Sequence, residues 1–239
     1  MYSERLLTKG NFLTRLAHSR RYLKTLAFVA DVRAAVAVDF GCGDGALLRR
    51  AFDQGIIRAG YGIDADPQMR AAAAEVFAGV AGFQFLEPVA AEQAIPPGTC
   101  DLAICTETLE HVPDQRKVLD SIVRYCRSGA RVIISAPIEI GPSLLGKQLG
   151  RYLAGLRGSY GYEKYTVREL LAASLGKPRA FESSHSRDDV ELKGHKGFDY
   201  RELDASIRER LDVARLTFSP LPMFGKLLNS TAMWECRTR

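Results

Sequence analysis

The feature that most constrains this chain is the stretch "VDFGCGDGALL" at positions 38–48, where Gly41, Gly43 and Gly45 follow an apolar run. Glycine loses more conformational freedom on folding than any other residue. Three within five positions therefore mark a bend that needs positive φ, or a ligand close to the backbone. "AVAVDF" ahead of the bend reads as a short buried strand over 35–40, and "ALLRRAFDQG" behind it as a helix closed by Gly55. A strand, a bare turn and a helix with unpaired N–H groups at its start make a ligand site at the carboxyl edge of a parallel sheet.

The alternation continues along the chain. "AGYGIDAD" reads as a second strand ending at Asp64, and Pro67 suits the first turn of the helix "PQMRAAAAEVFAG". "FQFLEP", "CDLAICTE" and "ARVIISAP" are three further strands, with the helix "DQRKVLDSIVRYCR" before the last of them. Short apolar strands between helices predict an α/β fold, a mostly parallel sheet with helices on both faces. Residues 1–34 are expected to form an N-terminal helical cap and 35–137 the ligand-binding core. Residues 138–198 are too long for an ordinary connection and are read as an insertion with its own helices, a lid. Residues 199–239 complete the core with a helix and two strands, "DVARLTFSP" and "TAMWECRT", joined as an antiparallel hairpin; the strands then total seven.

Asp39 decides between two classes of ligand. Gly41-x-Gly43-x-x-Ala46, with Asp64 downstream, also fits a dinucleotide fingerprint. A carboxylate two residues before the first glycine is badly placed beside a pyrophosphate and well placed beside a cation or an amine. On these residues the chain resembles the class I S-adenosylmethionine-dependent methyltransferases. "VDFGCGDG" is similar to their first motif, "YGIDADPQM" to their second, and "TCDLAICTETLEHVPD" to the segment around their fourth strand. The resemblance implies a Rossmann-like sheet and S-adenosyl-L-methionine as cofactor. It implies that Asp39, Gly41, Cys42 and Gly43 hold the amino-acid part of the cofactor and that Asp64 accepts from both ribose hydroxyls. Ala65, Asp66 and Met69 then lie near the adenine, and Thr106 at the end of the fourth strand borders the cofactor. The family often has an acid after the third strand for the adenine amino group. Here "PVAAEQAIP" follows, and either Glu92 or backbone groups are expected to serve.

In "TETLEHVPD" a helical turn would put Glu107, Glu110 and His111 on one face, at i, i+3 and i+4. Three readings stand side by side. His111 is a general base with a reference pKa near neutrality. The trio binds Mg²⁺ or Mn²⁺, which lowers the pKa of a substrate hydroxyl. Or the trio only organises the loop, Glu110 pairing with a base such as Arg116. Similar ExxEH segments occur in quinone-biosynthesis O-methyltransferases and in small-RNA 2′-O-methyltransferases. The latter also need a downstream histidine, for which His185 and His195 are the candidates. Methyl transfer to oxygen of a small or amphiphilic acceptor, sugar-linked or isoprenoid-linked, is the expected reaction. An RNA ribose methyltransferase and a non-catalytic cofactor-binding protein are the alternatives.

Composition limits the partners. The net charge of +5 suits an acidic partner but includes no dense Lys/Arg block with interleaved aromatics, which argues against nucleic acid. "GPSLLGKQLGRYLAGLRG" mixes leucines with Lys147, Arg151 and Arg157, and reads as a lid helix that touches an amphiphilic substrate or a membrane surface. Tyr160, Tyr162 and Tyr165 follow it and either line an acceptor pocket or pack the lid. Asp31 and Arg33 break the longest apolar run, so no spanning helix is expected. The five cysteines are scattered without a CxxC pair, and the N-terminus lacks the pattern of a secretory signal. Both point to a reducing cytoplasm.

Overall fold

The chain enters its sheet through α1 (Phe12–Val29) and then alternates strictly: β1 (Val36–Phe40), α2 (Ala46–Asp53), β2 (Ala59–Ile63), α3 (Pro67–Val76), β3 (Phe83–Leu86), α4 (Pro88–Ala94), β4 (Cys100–Thr106), α5 (Gln115–Tyr125), β5 (Cys126–Pro137). α6 (Ser143–Gly155) and α7 (Val167–Ser174) precede α8 (Tyr200–Arg210), β6 (Leu211–Ser219) and β7 (Thr231–Thr238). The computed structural model describes residues 12–33, 36–155, 165–177, 195–227 and 229–239. Arg157, Tyr160, Tyr162 and His185 lie outside the described residues.

The strands form one seven-stranded sheet in the order β3-β2-β1-β4-β5-β7-β6. The first five pair in parallel, and β7 lies antiparallel between β5 and β6. Side chains alternate between the two faces, as a strand buried on both sides requires. Val38, Ala103, Cys105, Val132 and Ile134 face α5 and α8, while Ala37, Leu102, Ile104 and Ile133 face α1 and α2.

Local chemistry sets the helix starts. Asp66 accepts from the Gln68 N–H with Pro67 in the first turn, Asp114 accepts from Lys117, and Asp199 from Arg201. Two elements differ from the sequence reading. α4 fills the stretch after β3 with seven residues, too few to show a helical period. The helix expected through Arg127 stops at Tyr125, because Cys126 turns extended and pairs with Cys100 of β4.

Long-range polar contacts fasten the edges. Lys24 Nζ donates to Thr217 Oγ1 (2.8 Å) and to the Phe218 carbonyl (2.7 Å), clamping α1 to β6. Burial, and then Arg215, pull the Lys24 ammonium pKa below its ordinary value. The fully buried Trp234 of β7 donates its indole N–H to Asp204 of α8 at 2.8 Å. All five cysteines are free and buried. No helix among the described residues is long and apolar enough to cross a membrane.

Asp204→Ala strands the Trp234 N–H in the core and is expected to cost about 1–3 kcal/mol. Asp204→Asn keeps an acceptor and should recover most of that loss. Urea unfolding midpoints of the two variants check it.

Candidate active site

The strand order reverses between β1 and β4: the chain leaves β1 toward β2 on one side and β4 toward β5 on the other. A crevice opens there at the carboxyl ends of the strands, where ligands of such sheets bind. Two loops flank it, residues 41–45 after β1 and residues 107–114 after β4.

The glycines of the first loop all take positive φ, 78° at Gly41, 53° at Gly43 and 72° at Gly45, but they do different jobs. A Cβ on Gly41 would sit 2.0 Å from Thr108 Oγ1, so this glycine lets the loop after β4 press against the first loop. Gly45 forms the left-handed N-cap of α2 against Ala73. Gly43 has open space on its Cβ side, and its N–H donates to Asp64 Oδ2 at 2.8 Å. Asp64 Oδ1 accepts from the Asp66 N–H at 2.9 Å. A carboxylate offers about four lone-pair sites, so half-buried Asp64 keeps acceptor capacity toward the crevice.

Asp39 is 2% exposed, and its Oδ1 is buried with no hydrogen-bond partner. Burial, and then the charge of Asp64, push its pKa up to about 7. Cys42 turns its thiol inward, where it would meet a Cβ on Gly62 at 2.8 Å, and burial drives its pKa far up. It offers the crevice backbone rather than sulfur.

The loop after β4 departs from the expected helical turn. It is a turn closed by the His111 N–H on the Thr108 carbonyl at 2.9 Å. Glu107 takes φ 52°, a conformation rare outside glycine and concentrated at functional sites. Its N–H donates to the Ser135 carbonyl at 2.9 Å, and its Oε1 accepts from Ser135 Oγ at 3.1 Å. Glu107 is thus bound to β5, and the trio Glu107, Glu110 and His111 does not share a face. The group that does converge is Glu110, His111 and His195, with ligand atoms within 4.8 Å of one another. Glu110 is fully buried, its Oε1 3.9 Å from His111 Nε2. The His111 and His195 rings meet edge to face, centroids 4.5 Å apart. Arg116, offered as a partner for Glu110, pairs instead with Glu209 on the surface.

His195 arrives from the far end of the 138–198 segment, and the next residue anchors it. Lys196 Nζ donates to Glu169 Oε2 at 2.9 Å and stands over the Tyr165 ring. Glu169 completes the capping box of α7 with Thr166. Glu92 is exposed on α4 and pairs with Lys117 at 3.3 Å. The acid directly after β3 is Glu87, at the N-cap of α4 with no capping hydrogen bond from its side chain. The Glu of "FQFLEP" was its signal. Asp66 caps α3, and Ala65 and Asp66 are exposed beside half-buried Met69. Thr106 ends β4 beside Ser135, and its carbonyl accepts from Thr108.

Comparison with known proteins gives the family. Residues 38–134 match the model of a methyltransferase domain. The chain is 30% identical over 209 residues to a ubiquinone biosynthesis O-methyltransferase of Pseudomonas paraeruginosa, covering 83% of this chain and 77% of that one. This chain belongs to the class I S-adenosylmethionine-dependent methyltransferases. The enzyme of the same name from Pectobacterium carotovorum is 33% identical over 98 residues, 41% of the length of each chain. Among solved structures, an N-methyltransferase of Bradyrhizobium japonicum in complex with S-adenosyl-L-homocysteine superposes with a TM-score of 0.58 at 12% identity, over 99% of this chain and 96% of that one.

The residues of this chain fit the family's cofactor. S-adenosylmethionine carries an ammonium and a sulfonium. The unpartnered oxygen of Asp39 is a buried acceptor without a counter-charge, and the open side of Gly43 leaves room beside it. Such a carboxylate is costly to keep ionised until a cation arrives.

The pH dependence follows. Between the ordinary value of 3.8 and about 7, the folded state holds a proton on Asp39 that the unfolded chain has released. Asp39 therefore supports the free protein at low pH, and that support is lost as pH rises through about 7. A cation favours the ionised form, so calorimetric affinity for S-adenosylmethionine should rise as the pH goes up through about 7, and Asp39→Asn should bind weakly with a flat profile.

Proposed function

We propose that this chain transfers a methyl group from S-adenosylmethionine to a hydroxyl oxygen of a small or amphiphilic acceptor, with His111 as the base. The observation that carries this reading is the convergence of buried Glu110, His111 and His195 at the edge of the crevice that Asp39 and Asp64 border. The relatives named as O-methyltransferases of ubiquinone biosynthesis support oxygen as the target and an isoprenoid-linked acceptor as its class.

The cofactor, when bound, supplies an electrophilic sulfonium methyl. The chain supplies the rest. Asp39 meets the charge of the amino-acid end, and the Gly41–Gly43 backbone gives it room. Asp64 takes the ribose hydroxyls on its remaining lone pairs. Ala65, Asp66 and Met69 border the adenine, and Glu87 is a better-placed acid there than Glu92. His111 accepts the proton of the acceptor hydroxyl, with the Glu110 Oε1 3.9 Å from its Nε2. His195 holds the His111 ring edge to face. Holding the hydroxyl in line with the reacting methyl supplies roughly 7–11 kcal/mol of the barrier, and a placed base adds about 10²–10⁴-fold.

The convergence of ligand atoms within 4.8 Å also favours a second reading, a divalent cation on Glu110, His111 and His195. One carboxylate and two imidazoles suit a borderline ion better than Mg²⁺. Such an ion would lower the pKa of a bound hydroxyl.

His111→Ala should lower methyl incorporation into a hydroxylated, isoprenoid-linked acceptor by about 10²–10⁴-fold, with calorimetric affinity for S-adenosylhomocysteine unchanged. Full activity in that variant would end the reading of His111 as base. Loss of wild-type activity in chelator, restored by added metal, selects the second reading; indifference to chelator selects the first.

A further inference from the structure

The loop that carries Asp64 has little packing to hold it, because Ala65 and Asp66 are exposed. The last residue of β2 in register with β1 is Ile63. α3 makes its first backbone bond on the Asp66 carbonyl, from the Arg70 N–H at 3.1 Å. The carbonyls of Asp64 and Ala65 therefore fall between the two elements, beyond the strand and short of the helix. Exposed backbone of this kind opens readily unless something fastens it. Here one side-chain nitrogen does so. Arg70 is half-buried in the first turn of α3, and its Nη1 reaches back to donate to the Asp64 and Ala65 carbonyls, each at 2.8 Å. A charged donor makes each of these bonds stronger than a neutral one would.

The bond to Ala65 bears on the carboxylate of Asp64. The Ala65 carbonyl and the Asp66 N–H belong to one planar peptide group. That N–H is the donor to Asp64 Oδ1 at 2.9 Å. The plane is thus held at both ends, by a guanidinium at its oxygen and by the carboxylate at its hydrogen. Asp64 Oδ2 takes the Gly43 N–H at 2.8 Å. Together the two N–H groups fix the rotation of the carboxylate, so that the same lone pairs face the crevice. Gly43 donates from a loop locked on either side, at Gly41 by Thr108 and at Gly45 by Ala73. The other donor, Asp66, depends on the peptide that Arg70 holds.

We infer that Arg70 is a positioning residue for cofactor binding: by clamping the peptides of residues 64–66 it aims the Asp64 carboxylate at the ribose hydroxyls. It acts through Asp64 and not on the ligand. This role rests on that of Asp64 as the proposed ribose acceptor.

The test is calorimetry of the full chain with two probes, S-adenosylhomocysteine and its 2′,3′-dideoxy analogue. Wild type should prefer S-adenosylhomocysteine by about a hundredfold, because the analogue leaves a charged acceptor unpaired. Arg70→Met keeps an apolar stem and good helix propensity but removes the donors. It should bind S-adenosylhomocysteine about tenfold more weakly and the analogue with wild-type affinity, so the preference narrows about tenfold. Arg70→Lys, whose ammonium has donors for both carbonyls, should recover most of the preference. Equal losses for the two probes in Arg70→Met overturn the proposal, since they mark a loop that only supports the pocket. So does a wild-type preference that Arg70→Met retains, which leaves the ribose role of Asp64 standing. Equal affinity of wild type for the two probes removes that role of Asp64, and the role of Arg70 with it.

Discussion

The architecture of the site depends on one unfavourable interaction, a carboxylate held in the core without a counter-charge. Asp39 is the fourth residue of a five-residue strand buried on both sides. Its neighbours in register are Gly62 of β2 and Ile104 of β4. Nothing in the sheet compensates it, and Asp64 nearby makes the position worse. A fold stable by about 5–15 kcal/mol in total carries such a group only at modest cost to its margin. The group makes physical sense when a cation completes it, and everything around it keeps that space available. Gly43 adds no side chain, Cys42 turns inward, and Asp64 is held by two backbone N–H groups so that it borders the space without filling it.

The second loop is built on the first. Thr108 occupies the place that a side chain on residue 41 would take, so the two loops at the switch point lock together. The strained backbone of Glu107 and its bonds to Ser135 then fix where the turn begins. Glu110 goes to the interior and His111 to the crevice. The last component comes from far along the chain: His195 meets the His111 ring, Lys196 beside it is bonded to Glu169 of α7, and the His195 carbonyl accepts from the buried Phe198.

Much of this was legible in the residues. The alternation of short apolar runs with helical periods reveals five parallel strands and a closing hairpin, because a strand buried on both faces leaves a continuous apolar run. The bend at Gly41–Gly45 and the carboxylates Asp39 and Asp64 were equally plain, because glycine and buried acid are costly and rarely placed without cause. The misreadings have a common source. Treating "TETLEHVPD" as helical put Glu107 with Glu110 and His111, since spacing along one element was the available ruler. Glu92 lies on α4 paired with Lys117, while Glu87 stands directly after β3, a distinction that needs the end of β3 placed to the residue.

The sequence alone determined the alternation of strands and helices, the closing hairpin and the glycine loop, for these are written in local periods and in residues whose conformational cost is intrinsic. Only the tertiary structure decided which of the candidate groups among the described residues converge. It bound Glu107 to Ser135 of β5 and brought His195 across a long connection to His111. Those outcomes depend on distances between elements far apart in the chain, and no periodicity within a single element encodes them.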